Sequence, residues 1–325
     1  MEGYVSIIIP IYNGKNYIDN IFEQIGKQTY KKIELIFVDD GSSDGSSEYI
    51  TAKYNDLGGM QYCCMKLIRQ KNAGQGAARN SGLVNASGEY IAFMDQDDSM
   101  SSMYIETLYN KAITTNADIV ITGYNHVYCD GKIKEKVVLT NNKWCKYMNI
   151  TPWGKLYKNS FIRDNNVKFL PAPFGEDIYF NIQCYALTRK VYYSTYVGYN
   201  WLINNSSVSN TIHKNKSDET NVINLFNELE NISFERDEYY CYFLTKTAIY
   251  HILYVANSTP YDELRDYKNE IMTWLTNHYY GFEKNEQLSF FRPKGERLFI
   301  RSIVKLYMIL YKARLDNALL KILSM

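Results

Sequence analysis

Three apolar runs, each ending in polar residues, restrict the fold more than any other feature of this chain. Val5 to Ile11 is a nearly continuous apolar run, Ile33 to Val38 is a second and Tyr90 to Met94 is a third. Runs of this kind belong to strands covered on both faces of a sheet. Between the first two, Tyr17, Ile18, Ile21, Phe22 and Ile25 repeat at helical spacing. Helices near Ser46 to Tyr54 and over Ala77 to Asn85, with a short strand at Lys66 to Arg69, fill the next gap. Strands joined through helices imply parallel pairing with right-handed crossovers. The residues after each run then fall on one edge: Tyr12 and Asn13, Asp39 and Asp40, and Asp95, Asp97 and Asp98. Ligands bind beyond the carboxyl ends of such strands, so this rim is the expected site.

Composition narrows the class. The 325 residues suggest about two domains. With 46% hydrophobic and 22% charged residues, disordered and low-complexity classes are excluded. A net charge of +1 excludes a global polyanion binder, so no nucleic-acid partner is expected. The six cysteines form no CxxC and no zinc spacing, so reduced and mostly packed thiols are expected. Met1 to Tyr4 lack a basic leader, and no apolar run approaches the ~18 residues of a membrane span. The expected location is therefore the cytoplasm.

Four segments carry chemistry. Asp95-Gln96-Asp97 follows a buried strand directly, and carboxylates on a tight turn can share one divalent cation, Mn or Mg, that also binds substrate phosphates. Asp39-Asp40-Gly41 ends the second strand, where a carboxylate can accept from a base N–H or a ribose hydroxyl. Asn72 to Asn80 is a Gly-containing loop that opens a helix and offers N–H groups to an anion; its Arg79 can reach a nucleotide or clamp the acidic rim. Gly175-Glu176-Asp177 places two carboxylates at a loop–helix junction. That position suits a general base, and the helix dipole alone also favours acids there.

Taken in order, Ser6 to Asn13, Val38 to Asp44, Asn72 to Gly82, Phe93 to Asp98 and Gly175 to Asp177 resemble the family 2 glycosyltransferases. Trp153-Gly154-Lys155-Leu156-Tyr157 is similar to a segment of bacterial members. The resemblance spans about residues 4 to 210. It implies a GT-A fold, an α/β Rossmann-like mixed sheet flanked by helices, and inverting transfer from a nucleotide sugar, UDP-sugars first. Asp39 with Asp40 would hold base and ribose, beside Pro10, Tyr12, Asn13, Asn72, Arg79 and Gln96. Asp95 and Asp97 would bind ribose and the metal, Asp177 would be the general base with Glu176 orienting, and His213 would close over the diphosphate or join the metal. Without the Gln-x-x-Arg-Trp motif of processive synthases, a single sugar per encounter is expected. The acceptor would be a glycan or polyprenol-linked glycan of a bacterial surface polysaccharide such as capsule. A nucleotidyltransferase or a non-catalytic sugar-binding protein on the same fold is the alternative. A dehydrogenase would need a G-x-G-x-x-G after the first strand.

The expected divisions are residues 1–100 for the nucleotide-sugar half, 101–213 for the acceptor half and 214–325 for a mainly helical region. Eight basic and two acidic residues lie between Arg292 and Lys321. Arg297, Arg301 and Lys305 form a stripe, and Leu298, Phe299, Ile303, Leu306, Ile309 and Leu310 lie opposite. Three readings stay open for residues 292–321: an anionic membrane surface, a helix packed on its own domain, or a homodimer contact.

Overall fold

Val5–Ile11 (β1) and Ile33–Asp39 (β2) are strands buried at every residue, paired in parallel with Ile11 opposite Asp39. The computed structural model describes residues 1–58, 63–140, 142–203 and 220–324. The chain folds as two compact units: Met1–Asn141 with Asn149–Asn204, and Asn142–Met148 with Asn205–Met325.

In the first unit, Ile18–Lys27 (α1), Ser46–Asp56 (α2) and Gln75–Asn85 (α3) alternate with β1, β2, Cys63–Arg69 (β3) and Tyr90–Phe93 (β4). β3, β2, β1 and β4 lie side by side, all parallel. Then follow Ser99–Met100 (β5), Tyr104–Thr115 (α4), Ile119–Val127 (β6), Ile133–Val137 (β7) and Cys145–Met148 (α5). Lys155–Lys158 (β8), Asn159–Asp164 (α6), Glu176–Leu187 (α7) and Val191–Leu202 (β9) complete the set, α5 belonging to the second unit. The sheet continues β4-β8-β6-β9-β5, with β7 also on β6. β8 runs antiparallel to both neighbours, so β6 and β9 point the same way as β1. The sheet is therefore mixed, and the carboxyl ends of β1, β2, β4 and β9 share one rim. Pro10 is tolerated in a central strand because its missing N–H falls on the β4 side, past the last paired residues Ile8 and Phe93.

Glu34 sits inside this sheet. Its carboxylate accepts from Ser6 Oγ at 2.5 Å, Ser87 N at 2.8 Å and Lys66 Nζ at 2.7 Å. Burial alone would raise its pKa, but the Lys66 ammonium and the serine donors outweigh it and hold it at about 2, below its ordinary 4.5. A depressed acid stabilises the fold above its unfolded pKa and loses that contribution as pH falls through the folded one. Glu34→Gln is expected to be less stable than wild type near neutrality. The gap should close between pH 4.5 and pH 2, which urea unfolding at a series of pH values would measure.

The second unit is helical: Val222–Glu230 (α8), Glu238–Ala256 (α9), Tyr261–His278 (α10), Leu298–Lys312 (α11) and Asp316–Leu323 (α12). Ile249, Ile252, Leu264, Ile271 and Leu275 are fully buried in its core. Trp144 joins that core, with its ring edge-on to Tyr242 at 5.1 Å. No helix among the described residues is long and apolar enough to cross a membrane.

Candidate active site

The rim begins where β1 and β2 end. Asp39 and Asp40 are almost fully buried, and their carboxylates hold backbone. Asp39 Oδ1 accepts from Ser42 N at 2.8 Å, and Oδ2 accepts from the Ser47 hydroxyl. Asp40 accepts from Gln70 Nε2 at 2.8 Å, Ala73 N at 2.9 Å and Gly74 N at 2.9 Å. Asp40 thus fixes the loop that carries exposed Asn72 and starts α3. Gly41 is needed here: its φ is +81°, and a Cβ would lie 2.8 Å from Asn72 N.

After β1 the chain turns sharply, with Asn13 at φ 47°. Asn13 Oδ1 accepts from Ser43 N at 2.9 Å, and Asn13 N donates to Ser42 Oγ at 2.9 Å. Tyr12 stands 49% exposed on this turn. Its backbone is gripped by Gln96, whose Oε1 accepts from Tyr12 N at 3.0 Å and whose Nε2 donates to Tyr12 O at 3.4 Å. Gln96 therefore ties the end of β1 to the acidic turn after β4.

The centre of the rim is Arg79, 1% exposed on α3. It donates to Asp95 at 2.9 Å, Asp177 at 3.4 Å and Glu176 at 3.5 Å. Of the two roles that the sequence leaves open, the observed geometry is the clamp. Burial disfavours the guanidinium charge, but the three carboxylates, Asp95 foremost, outweigh it and raise its pKa. α3 comes this close because Gly76 faces α7 without a side chain; a Cβ there would lie 2.7 Å from Leu170 O and 3.1 Å from Glu176 Cγ. Beneath, Phe169 stacks on Phe180 of α7 at 4.0 Å, and Phe93 of β4 meets both edge-on. This aromatic packing sets the start of α7 over the end of β4.

Burial separates the acids. Burial raises the Asp95 carboxyl, with Arg79 offsetting it in part. Burial, then the neighbouring Asp177, pushes Glu176 well above the carboxylate range. Asp177 is 29% exposed on the same turn. Two arrangements escape sequence reasoning. Asp98 is fully buried and accepts from Tyr199 Oη at 2.7 Å and Leu202 N at 2.9 Å, which fastens β9 to the acidic turn. Lys155 is fully buried on β8, where burial pushes its pKa down to about 7. The run of four polar residues at 95–98 hints at the first; nothing local signals the second.

Asp95 and Asp97 are the residues of this turn that could hold a divalent cation. Carboxylate oxygens at Asp95 and Asp97 are hard ligands, and Mg or Mn sites often use one or two carboxylates completed by substrate phosphates. His213 lies outside the described residues.

Comparison with known proteins points to one family. The family model described as Glycosyl transferase family 2 matches residues 6–196. A cholesterol galactosyltransferase of Borreliella burgdorferi is 30% identical over 302 residues, covering 83% of this chain and 82% of its own. Glycosyltransferase GlyA of Streptococcus pneumoniae is 34% identical over 228 residues, 64% of this chain but only 32% of that protein. The structure of S. aureus TarS 1–349 with UDP superposes with a TM-score of 0.60 at 17% identity, covering 96% of this chain and 92% of that one. The fold is that of the GT-A glycosyltransferases, as the resemblance implies.

Proposed function

The chain belongs to glycosyl transferase family 2, and from that premise we propose that it moves one sugar from a UDP-sugar to a hydroxyl of a glycan or lipid-linked glycan, inverting the anomeric centre. The observation that carries this reading is the Arg79 bridge. It holds Asp95 of the donor turn and Asp177 of α7 on one guanidinium, at 2.9 and 3.4 Å, so that a donor on the strand ends has a carboxylate beside it.

In this reading Asp39 accepts from the base or ribose, and Tyr12 offers the base an exposed ring. Pro10, Asn13, Asn72 and Gln96 shape that cradle, with Asp40 holding the loop from below. Asp95 and Asp97 would hold the divalent cation and ribose, and His213 would join the metal or close over the diphosphate. A divalent cation held there would offset negative charge that builds on the departing diphosphate. Asp177 takes the proton of the acceptor hydroxyl. The oxygen lone pair forms the new bond to the anomeric carbon from the face opposite the diphosphate. The bond from that carbon to the diphosphate oxygen breaks, and the pair leaves with UDP. Glu176 orients Arg79 and the acceptor. The UDP complex of TarS supports this choice of donor, and the cholesterol named for the Borreliella relative supports a lipid hydroxyl among the acceptors. Bacterial surface polysaccharide synthesis, capsule included, on the cytoplasmic face of the plasma membrane is the setting we assign.

Calorimetric titration with UDP, GDP, dTDP and NAD, in Mn and in EDTA, tests the donor site. UDP should bind in Mn, NAD should not, and EDTA or Asp97→Ala should weaken UDP by more than about tenfold. Equal UDP binding in Mn and EDTA would refute the metal role. No nucleotide binding under any condition would refute the donor site.

A further inference from the structure

Helix α11 packs within its own unit through Ile300, Val304, Tyr307 and Met308, all buried. A second apolar set is left outside: Leu298 is 62% exposed, Phe299 73%, Leu306 53% and Ile309 44%. Phe299 and Leu306 are two turns apart and Ile309 follows one turn later, so they share a helix face. The flanking segments add exposed Phe291, Leu315 and Ile322. Exposed apolar patches of this kind mark contact surfaces.

Charge indicates what covers it. Of the 30 residues from Arg292 to Lys321, the two acids, Glu296 and Asp316, are both buried. Glu296 pairs with Lys246 at 2.9 Å and Asp316 with Lys268 at 2.7 Å, lysines of α9 and α10. They therefore do not offset the exposed Lys294, Arg297, Lys312, Arg314 and Lys321 or the half-buried Arg301 and Lys305, while Arg292 pairs with Glu286 at 2.6 Å. Arg301, Lys305 and Lys312 line the flank between the buried face of α11 and its exposed apolar face. A second copy, meeting this patch about a two-fold axis, would set one basic flank near another. A nucleic acid would meet the cations but leave Phe299 and Leu306 in water. An anionic bilayer accepts both, headgroups taking the cations and the acyl boundary the apolar side chains.

We infer that α11 with its flanking segments is a docking surface for an anionic lipid membrane, the helix lying in the interface. This gives the lipid-linked acceptor reading a place to work, but it stands on the helix alone. The test is co-sedimentation of the full chain with vesicles of phosphatidylcholine, with and without phosphatidylglycerol. Phe299→Ser/Leu306→Ser and Lys305→Glu/Lys312→Glu variants are run beside it, with melting curves confirming that each is folded. Wild type should pellet with the anionic vesicles only, and each double variant should partition about tenfold more weakly or worse. UDP binding, measured on the same samples, should be equal in all three, so a failed donor site and a failed membrane surface give different patterns. No pelleting of wild type, or equal pelleting of all three proteins, overturns the inference. Loss in the charge variant alone also overturns it, because the apolar face would then play no part. A dimer in sedimentation equilibrium that Phe299→Ser/Leu306→Ser splits, without vesicle binding, would give the face to a second copy.

Discussion

Asp177→Asn is expected to lower turnover by about 10²–10⁴-fold while UDP affinity stays within about twofold of wild type. Asparagine keeps the shape and an oxygen for Arg79, whose contact with Asp177 is 3.4 Å. The bond from Asn181 Nδ2 goes to the Asp177 backbone carbonyl at 2.8 Å and does not depend on the side chain. What the variant loses is the capacity to take a proton. Glu176 does not replace it, because burial, the largest cause of its raised pKa, persists in the variant. Steady-state release of UDP from a UDP-sugar, with binding measured separately, checks this. Turnover within tenfold of wild type would remove Asp177 from the role of base.

The second large effect is on folding. Arg79→Leu leaves Asp95, Glu176 and Asp177 around a missing cation. Removing one partner of a buried ion pair costs about 3–5 kcal/mol, which lowers the melting temperature of a domain this size by on the order of 10 °C. The loss should depend on pH with a definite sign. Asp95 and Glu176 already have raised pKa values, and without Arg79 they rise further. An acid with a raised folded pKa adds stability at low pH and loses it as pH climbs through that value. The gap between variant and wild type should therefore narrow as pH falls from neutrality towards 5. Arg79→Lys should recover only part of the loss, since one ammonium cannot meet three carboxylates as the guanidinium fork does. Thermal melts of the three proteins over that pH range provide the check. A gap that widens on acidification would contradict the clamp.

The parallel half of the sheet and its rim are legible because each step is local. Apolar runs identify β1, β2 and β4, and their direction alone brings Asp39 and Asp95 together. β8 is different. Lys155 and Lys158 bound it, its four residues show no clean alternation, and it becomes a central strand only by pairing between β4 and β6. The roles of Arg79 and Asp98 are likewise set at long range. Arg79 meets α7 across nearly 100 positions of sequence, and Asp98 meets Tyr199 across 101. The α11 stripe is legible as amphipathic, yet periodicity does not say which apolar face packs. Ile300, Val304, Tyr307 and Met308 turn inward, while most of the face opposite the basic stripe stays outside.

The most direct test of the account is proton NMR of the anomeric region during reaction of α-configured UDP-sugars with a panel of glycoside acceptors. Inverting transfer with Asp177 as base releases UDP in step with a new β-linked anomeric signal, and both are absent with Asp177→Asn. An α-linked product, or transfer that persists in Asp177→Asn, would contradict it.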